Sequence, residues 1–181
     1  MSNPVIIAID PGSEYSALLL WDGVNVVEKH LLLNEEIGKI VYTLSLQASE
    51  DLIRPYQLVI EQVKLYQTAD KNIHDTILWS GRFIESWYRG GASTEPELVA
   101  RATVKSGLVQ SASAKDTQIT SYLKDRFGSS TSQKNPHPII GGLSVKLENG
   151  KTKNDLWQAL ALAVYYWDTY LQERKASGAC A

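Results

Sequence analysis

Three carboxylates in this chain lie at the ends of apolar segments, where charged side chains are unusual. Asp10 follows Val-Ile-Ile-Ala-Ile, Glu61 follows Leu-Val-Ile, and Asp155 precedes Leu-Trp-Gln-Ala-Leu-Ala-Leu-Ala-Val. A cluster of acids needs cations to offset its charge, and carboxylate oxygens are preferred ligands of Mg²⁺ and similar ions. The pattern therefore predicts a metal site, provided that the fold brings these distant residues together.

Each acid taken singly has a structural explanation. An Asp before Pro-Gly, as at Asp10, is common in turns, and an acid in the first turn of a helix, as at Asp155, is stabilised by the helix dipole. Glu61 is harder to explain in this way, because an unpaired carboxylate in a buried strand is costly. The three positions together favour one shared site.

Length and composition predict one ordinary folded domain. The chain has 181 residues, of which 44% are apolar and 21% charged. We expect a single domain over 1–175 and a flexible tail over 176–181. No apolar segment approaches the ~20 residues of a membrane span, and no signal peptide is recognisable, so we expect no membrane association and a cytoplasmic location. The single cysteine, Cys180, can form neither an internal disulfide nor a Cys-based metal site.

The charge is distributed unevenly along the chain. Residues 1–62 hold three Lys/Arg and nine Asp/Glu, a net of −6, whereas residues 63–181 hold fifteen and eleven, a net of +4. The later segment carries enough basic side chains to line a phosphate-binding face if they converge. The alternative is that they are solvating charges on ordinary helices and loops.

Hydrophobic periodicity predicts the elements that must position the acids. We expect strands at 4–10, 16–21, 24–33, 57–63 and 97–105, helices at 36–53, 72–88, 114–127 and 154–174, and a short strand pair around 141–150. This order is similar to that of the ribonuclease H-like fold, an α/β fold with a mixed five-stranded sheet flanked by helices. In that fold the first and fourth strands are neighbours and the last helix packs over them. Asp10, Glu61 and Asp155 would then converge and hold two Mg²⁺ or Mn²⁺ ions for phosphodiester hydrolysis.

Four segments also resemble the motif regions of RuvC-type Holliday junction resolvases, in the same order. They are IAIDPGS, VIEQV, ATVKSGLVQSASAKDTQI and NDLWQALALAV. The resemblance implies a homodimeric, Mg²⁺-dependent endonuclease that resolves four-way DNA junctions by paired symmetric nicks. It implies metal ligation by the three acids, a catalytic and DNA-binding role for Lys115, and a DNA contact for Lys105. The source, a bacterium or a phage, stays open, although the divergent motifs favour a phage-type member.

Two positions depart from the family pattern. The family usually ends its site with a carboxylate or histidine that is followed three residues later by an aspartate, whereas this chain has Asp155 and then Gln158. Gln158 can bind metal through its carbonyl oxygen but adds no charge. Glu14 is one local candidate to complete the set, or a surface turn residue. Where the family commonly has an aromatic residue after its EQV string, this chain has Lys64, a candidate DNA contact. Tyr66 is expected either to stack on bases or to be a half-buried loop residue.

Assembly and activity each leave a second interpretation. The helix at 72–88 is rich in Trp, Phe and Ile, and is expected to pack on the sheet with one side and on a partner subunit with the other. Alternatively, it is buried between the sheet and the C-terminal helix. The second functional hypothesis is a binding protein that retains the nuclease fold and recognises branched DNA without cutting it.

Overall fold

A five-stranded mixed sheet forms the centre of the molecule. The structure is a computed structural model that describes residues 4–50, 55–64, 70–128, 137–147 and 150–176. The order across the sheet is β3–β2–β1–β4–β5. The strands are β1 (Val5–Asp10), β2 (Tyr15–Trp21), β3 (Val26–Leu33), β4 (Tyr56–Gln62) and β5 (Glu97–Ala100). Strand β1 pairs antiparallel with β2 and parallel with β4, so the predicted mixed sheet is confirmed.

Helices cover both faces of this sheet, and each face has its own core. They are α1 (Asn34–Glu50), α2 (Lys71–Arg89), α3 (Arg101–Val109), α4 (Asp116–Phe127) and α5 (Asp155–Ala176). Side chains alternate between the faces of a strand, so Ile6 and Ala8 pack against α3, α4 and α5, whereas Ile7 and Ile9 pack against α1 and α2. We call these the α5 face and the α1 face. A strand buried on both faces reads as a continuous apolar run, as β1 does.

Helix α5 is the most deeply buried helix of the α5 face. Every residue from Leu156 to Val164 is buried, because the sheet covers one side of the helix and α3 and α4 cover the others. A short hairpin, β6 (Val145–Lys146) with β7 (Thr152–Lys153), leads into α5, as the sequence predicts. The start of α5 is therefore held in place by a packed helix and a paired strand.

The strand predicted at 97–105 is wrong in its second half. Strand β5 ends at Ala100, and the chain enters α3 at Arg101. Val104 and Leu108, four residues apart, are both buried in the α5 face, which is the spacing of one side of a helix. No glycine or proline separates the strand from the helix. A prediction from apolar periodicity therefore continues the strand past its true end at Ala100.

The alternative placement of the helix at 72–88 is also wrong. Helix α2 packs against α1 on the α1 face, with Phe83 and Trp87 fully buried, while α5 covers the opposite face. Leu78 and Tyr88 are exposed by 54% and 52% of their surface. The second apolar side of α2 therefore lies on the surface of this chain.

Two further expectations concerned membrane-spanning helices and a flexible tail at the end of the chain. None of the helices that the structure describes is both long and apolar enough to cross a membrane. Residues 177–181, which include Cys180 and most of the expected tail at 176–181, lie outside the described residues.

Two buried polar side chains hold the turn that follows Asp10. The Ser16 hydroxyl accepts a hydrogen bond from the Gly12 amide (3.1 Å) and donates one to Oδ1 of Asn34 (2.6 Å). The Asn34 amide nitrogen in turn donates to the Gly12 carbonyl oxygen (2.9 Å). This closed set, the Ser16–Asn34 clamp, fixes the β1–β2 turn against the start of α1 and so fixes the end of β1.

Replacing Asn34 by alanine tests the Ser16–Asn34 clamp. Asn34→Ala leaves the buried Ser16 hydroxyl and the Gly12 carbonyl without these partners, so we expect the free energy of unfolding to fall by about 1–3 kcal/mol. Urea denaturation measures this change. Asn72→Ala, at an exposed position of α2, is the matched control and should change the free energy of unfolding by about 0.5 kcal/mol or less. Equal effects of the two substitutions would show that the clamp does not stabilise the turn.

Candidate active site

The sheet places Asp10 and Glu61 beside each other. The parallel pairing of β1 with β4 runs to Ile9 opposite Ile60, and the next residue on each strand is the acid. Asp10 has the same parity as Ala8, and Glu61 the same parity as Val59, and both of these apolar residues lie in the core of the α5 face. Since side chains alternate with a period of two, both carboxylates point to the α5 face. The prediction that they meet in the middle of the sheet is confirmed.

The start of α5 brings Asp155 to the same place. Asp155 is the first residue of the helix, half-buried, and α5 packs directly on β1 and β2. Gln158 follows one turn later and is buried, with only 7% of its surface exposed. Residues three apart lie on the same side of a helix, so Asp155 and Gln158 face the same space. Both of them line one cleft together with Asp10.

This cleft has a volume of about 1170 Å³ and carries charges of both signs. Its acidic side chains are Asp10, Asp155 and a residue that the sequence argument did not select, Asp116. Its basic side chains are Arg101, Lys124 and Lys153. A cleft with acids at the end of β1 and cations around it suits an anionic ligand that reacts at a metal-binding centre.

A guanidinium group occupies the centre of the acidic cluster. Nη1 of Arg101 donates to Oε1 of Glu61 at 2.8 Å, and Nη2 donates to Oδ2 of Asp116 at the same distance. The other oxygen of Asp116 lies 3.0 Å from Nζ of Lys105. Glu61, Arg101, Asp116 and Lys105 thus form a continuous chain of alternating charges. We call these four residues the Arg101 network.

Burial shifts the pKa values of the two strand acids upward, and at Asp10 repulsion from neighbouring acids adds to the shift. Desolvation raises the pKa of Asp10 well above its usual range, and the neighbouring negative charges of Glu61 and Asp155 raise it further, while Arg101 opposes the shift. Desolvation likewise raises the pKa of Glu61, although the charge and hydrogen bond of Arg101 lower it. These acids therefore lie close enough to repel one another, as the ligands of a shared cation would.

The Arg101 network favours the charged forms of its two central members, Asp116 and Arg101. Burial alone would raise the pKa of Asp116, but hydrogen bonds from Arg101 and Lys105 outweigh it and lower that pKa. Burial alone would lower the pKa of Arg101, but Glu61, Asp116 and Asp10 outweigh it and raise that pKa. The guanidinium therefore remains charged, and Asp116 is held in its ionised form.

The donor chemistry of the site fits a hard divalent cation, but the side chains are not gathered around one point. Asp10, Glu61 and Asp155 offer only carboxylate oxygens, and Gln158 adds a carbonyl oxygen, which are the ligand types of Mg²⁺ and Mn²⁺. Across the ranges that the structure describes, no three Asp, Glu, His or Cys side chains are arranged so that they could hold a metal ion. At Glu61, Arg101 provides the positive charge.

The other predicted site residues have different surroundings. Lys105 is largely buried, with 15% of its side chain exposed, and its ammonium group contacts Asp116. Lys115 is exposed immediately before α4, and its backbone amide donates to the Gln118 side chain. Lys64 is exposed after β4, Glu14 is exposed beside the β1–β2 turn, and Tyr66 lies outside the described residues. Their predicted roles in DNA binding and catalysis stay predictions.

Sequence reasoning missed Arg101 and Asp116. The strand expected at 97–105 placed Arg101 in the middle of a strand. The sequence therefore provided no indication that a helix begins at this residue. The resemblance directed attention to Lys115, whereas the residue that contacts Arg101 and lines the cleft is its neighbour Asp116. One signal was present: Arg101 stands at the end of the strand that pairs with the Glu61 strand, where a buried acid requires a counterion.

Two solved structures share this arrangement of helices and strands. The structure of Thermus thermophilus RuvC superimposes with a TM-score of 0.59 at 14% sequence identity, covering 93% of this chain and 96% of that one. T. thermophilus RuvC in complex with a Holliday junction substrate gives the same TM-score and coverages at 15% identity. No family model and no curated protein matches the sequence. The chain therefore has the ribonuclease H-like fold, in the form seen in RuvC.

The raised pKa of Asp10 predicts a stability effect with a defined pH dependence. Ionised Asp10 is disfavoured in the folded state, so the free energy of unfolding falls as pH rises from about 4, the unfolded value, through the raised folded value. Asp10→Asn removes this loss. We expect the variant to have a higher Tm than the wild type near pH 7, by roughly 2–4 °C for each kcal/mol regained.

Thermal denaturation at several pH values in metal-free buffer measures this difference. The Tm advantage of Asp10→Asn should grow as pH rises from 4 to 7 and disappear in acid, where the wild-type carboxyl is also neutral. The control is Asp125→Asn on the exposed surface of α4, for which no such trend is expected. A pH-independent difference would contradict the assignment of buried repulsion to Asp10.

Proposed function

We propose that this chain is a metal-dependent, structure-selective DNA endonuclease that resolves four-way junctions by paired symmetric nicks. The main supporting observation is the placement of Asp10 and Glu61 side by side on central strands, with Asp155 at the same cleft. The likeness to RuvC supports the same class, because one of the matched structures is a RuvC complex with a Holliday junction substrate. We propose a cytoplasmic site of action, in a bacterial cell or a phage-infected host.

In this proposal Asp10, Glu61 and Asp155 hold divalent cations, and Gln158 contributes its carbonyl oxygen. Two Mg²⁺ or Mn²⁺ ions, when bound, supply an activated water and stabilise the leaving 3′ oxygen of the phosphodiester. The protein fixes the backbone of these residues on two paired strands and on a buried helix, so that only side chains need to rearrange. The Ser16–Asn34 clamp holds the turn after Asp10 and so restrains that carboxylate.

Cationic side chains of the cleft would position the DNA backbone. Lys124 and Lys153 line the cleft, and Lys124 lies 5.5 Å from the centre of the Trp157 ring. Phosphate contacts of this kind position a nucleic acid without reading its sequence. The exposed Lys64 and Lys115, together with Tyr66 and Lys105, are proposed as further contacts to branched double-stranded DNA.

A homodimer would account for paired nicks. The exposed side of α2, which includes Leu78 and Tyr88, lies on the α1 face and leaves the cleft free. Two copies joined through α2 by a twofold axis would present two clefts to a substrate with matching symmetry. This placement of α2 is compatible with a dimer in which each subunit supplies a complete site.

A second candidate is a branched-DNA-binding protein that does not cut. Two observations favour it: Gln158 stands where the family pattern has an acid, and Arg101 supplies the positive charge beside Glu61. Both features lower the net negative charge available to divalent ions. The two candidates differ in one outcome, which is cleavage of a junction in the presence of metal.

Cleavage of a labelled four-way junction separates the two candidates. In Mg²⁺ or Mn²⁺ we expect paired nicks at symmetric positions by the wild type, and binding without cleavage when chelator is present. Asp10→Asn should abolish cleavage and leave junction affinity unchanged or higher, because a negative charge near the phosphates is removed. Asp125→Asn should cut like the wild type. Binding without nicking in both metals would contradict the nuclease function and support the non-cleaving candidate.

The missing acid at Gln158 gives a separate prediction. Gln158→Asp adds a charge to the cluster, so we expect a lower Tm without metal and a larger rise in Tm with Mg²⁺ than the wild type shows. Differential scanning fluorimetry with and without 10 mM MgCl₂, a concentration chosen as roughly saturating for such sites, measures both. Gln47→Asp, exposed on α1, is the control and should show the wild-type Mg²⁺ response. An unchanged response of Gln158→Asp would exclude position 158 from the metal site.

A further inference from the structure

The position of Arg101 has a consequence that rests on the proposed function and goes beyond it. A guanidinium that donates to Glu61 at 2.8 Å occupies one of the two oxygens that this carboxylate could offer to a divalent ion. Arg101 enters from the end of β5, which pairs directly with the Glu61 strand, so its backbone is fixed next to the acid. Metal and arginine therefore require the same carboxylate.

The charge balance of the site also indicates that metal and Arg101 compete. Four carboxylates lie near one another in and beside the cleft, those of Asp10, Glu61, Asp116 and Asp155, with a formal charge of −4 when all are ionised. Three cations contact them directly among the described residues: Arg101 with Glu61 and Asp116, Lys105 with Asp116, and Lys153 with Asp155. Four negative and three positive charges leave a net of −1. Two divalent ions would add four positive charges, so loading is opposed unless a cation moves away.

Asp116 offers a place to which the guanidinium can withdraw. The Glu61 side chain is 9% exposed, Arg101 35% and Asp116 53%, so the network leads from the buried acid toward solvent. Arg101 contacts one oxygen of Asp116 and Lys105 contacts the other. Arg101 can release Glu61 and still keep its hydrogen bond to Asp116.

We propose that Arg101 is an internal cation that competes with divalent metal for Glu61, and that Asp116 retains the guanidinium once metal displaces it. Without metal, Arg101 neutralises the most buried part of the cluster and keeps Glu61 in position. With metal, the same side chain is held at the rim of the cleft by Asp116. Arg101 is a positioning residue in this scheme and does not act on the phosphodiester.

Mn²⁺ binding to the DNA-free protein tests the competition without any need for cleavage. Free Mn²⁺ is followed by electron paramagnetic resonance during titration of the full-length protein. Arg101→Gln should bind Mn²⁺ with a Kd lower by about tenfold or more, a change of about 1.4 kcal/mol. Arg89→Gln, exposed at the end of α2 on the opposite face of the sheet, should leave the Kd unchanged. A Kd that is unchanged or higher in Arg101→Gln would overturn the competition.

A double-mutant cycle tests the retaining role of Asp116. Asp116→Asn alone should raise the Kd for Mn²⁺, because the guanidinium then loses its hydrogen bond to an ionised Asp116 and is held more strongly by Glu61. In the Arg101→Gln background most of this effect should vanish, since its cause is absent. An equal effect of Asp116→Asn in both backgrounds would make Asp116 a direct metal ligand and overturn the retaining role.

Two further measurements keep the result interpretable. Circular dichroism verifies that each variant is folded. If Arg101→Gln does not fold, Arg101→Lys takes its place, because a lysine cannot bridge both carboxylates in the bidentate manner of a guanidinium, and a smaller fall in Kd is expected. An unchanged Kd in Arg101→Lys would then count against the competition.

Junction cleavage is scored separately with the same proteins. If the wild type cuts junctions but Arg101→Gln binds Mn²⁺ no more tightly, the competition is wrong and the proposed function stands. If the Kd values follow the expected order but no variant cuts, the competition stands and the nuclease function is wrong. Absence of Mn²⁺ binding in every variant would overturn both.

Discussion

Repulsion between two carboxylates on neighbouring central strands is the constraint on which the rest of the site depends. Asp10 and Glu61 each follow the last residue pair of the parallel β1–β4 register, Ile9 opposite Ile60. Both point to the α5 face of the sheet. A buried pair of like charges is unfavourable unless positive charge compensates it. The surrounding structure supplies that charge in the Arg101 network and adds cations along the cleft. A folded domain retains such an arrangement at a cost in stability, which is typical of functional sites.

The elements around the pair limit how far it can relax. Strand β1 is buried on both faces, and the Ser16–Asn34 clamp fixes the turn that follows it. Helix α5, which begins at Asp155, is buried from Leu156 to Val164. The carboxylates cannot separate by bending the backbone without disturbing one of these. Adjustment is therefore left to side chains, and among the residues that contact Glu61 and Asp116, Arg101 has the longest one.

The fold and the positions of the three acids could be predicted from the sequence because they depend on features that the sequence displays directly. Apolar runs of strand length, the order of elements and the acids at their ends are local properties, and the ribonuclease H-like topology converts them into neighbours. Arg101 could not be predicted in the same way. Its role depends on where β5 becomes α3, and Ala100-Arg101 contains no turn residue to mark that change. Whether Lys115 or Asp116 faces the cleft depends on the rotation of α4 about its axis. The sequence pattern does not determine that rotation.

The division of the core into two faces has a consequence for how this protein can diverge. The cleft and its charges lie on the α5 face, whereas α1 and α2 pack on the other face with their own apolar cluster. Substitutions on separate sides of a sheet that share no contacts act nearly independently. Surfaces on the α1 face can thus drift without disturbing the chemistry of the α5 face. A chain built in this way can change the residues on its α1 face while the arrangement of the acids on the α5 face stays the same.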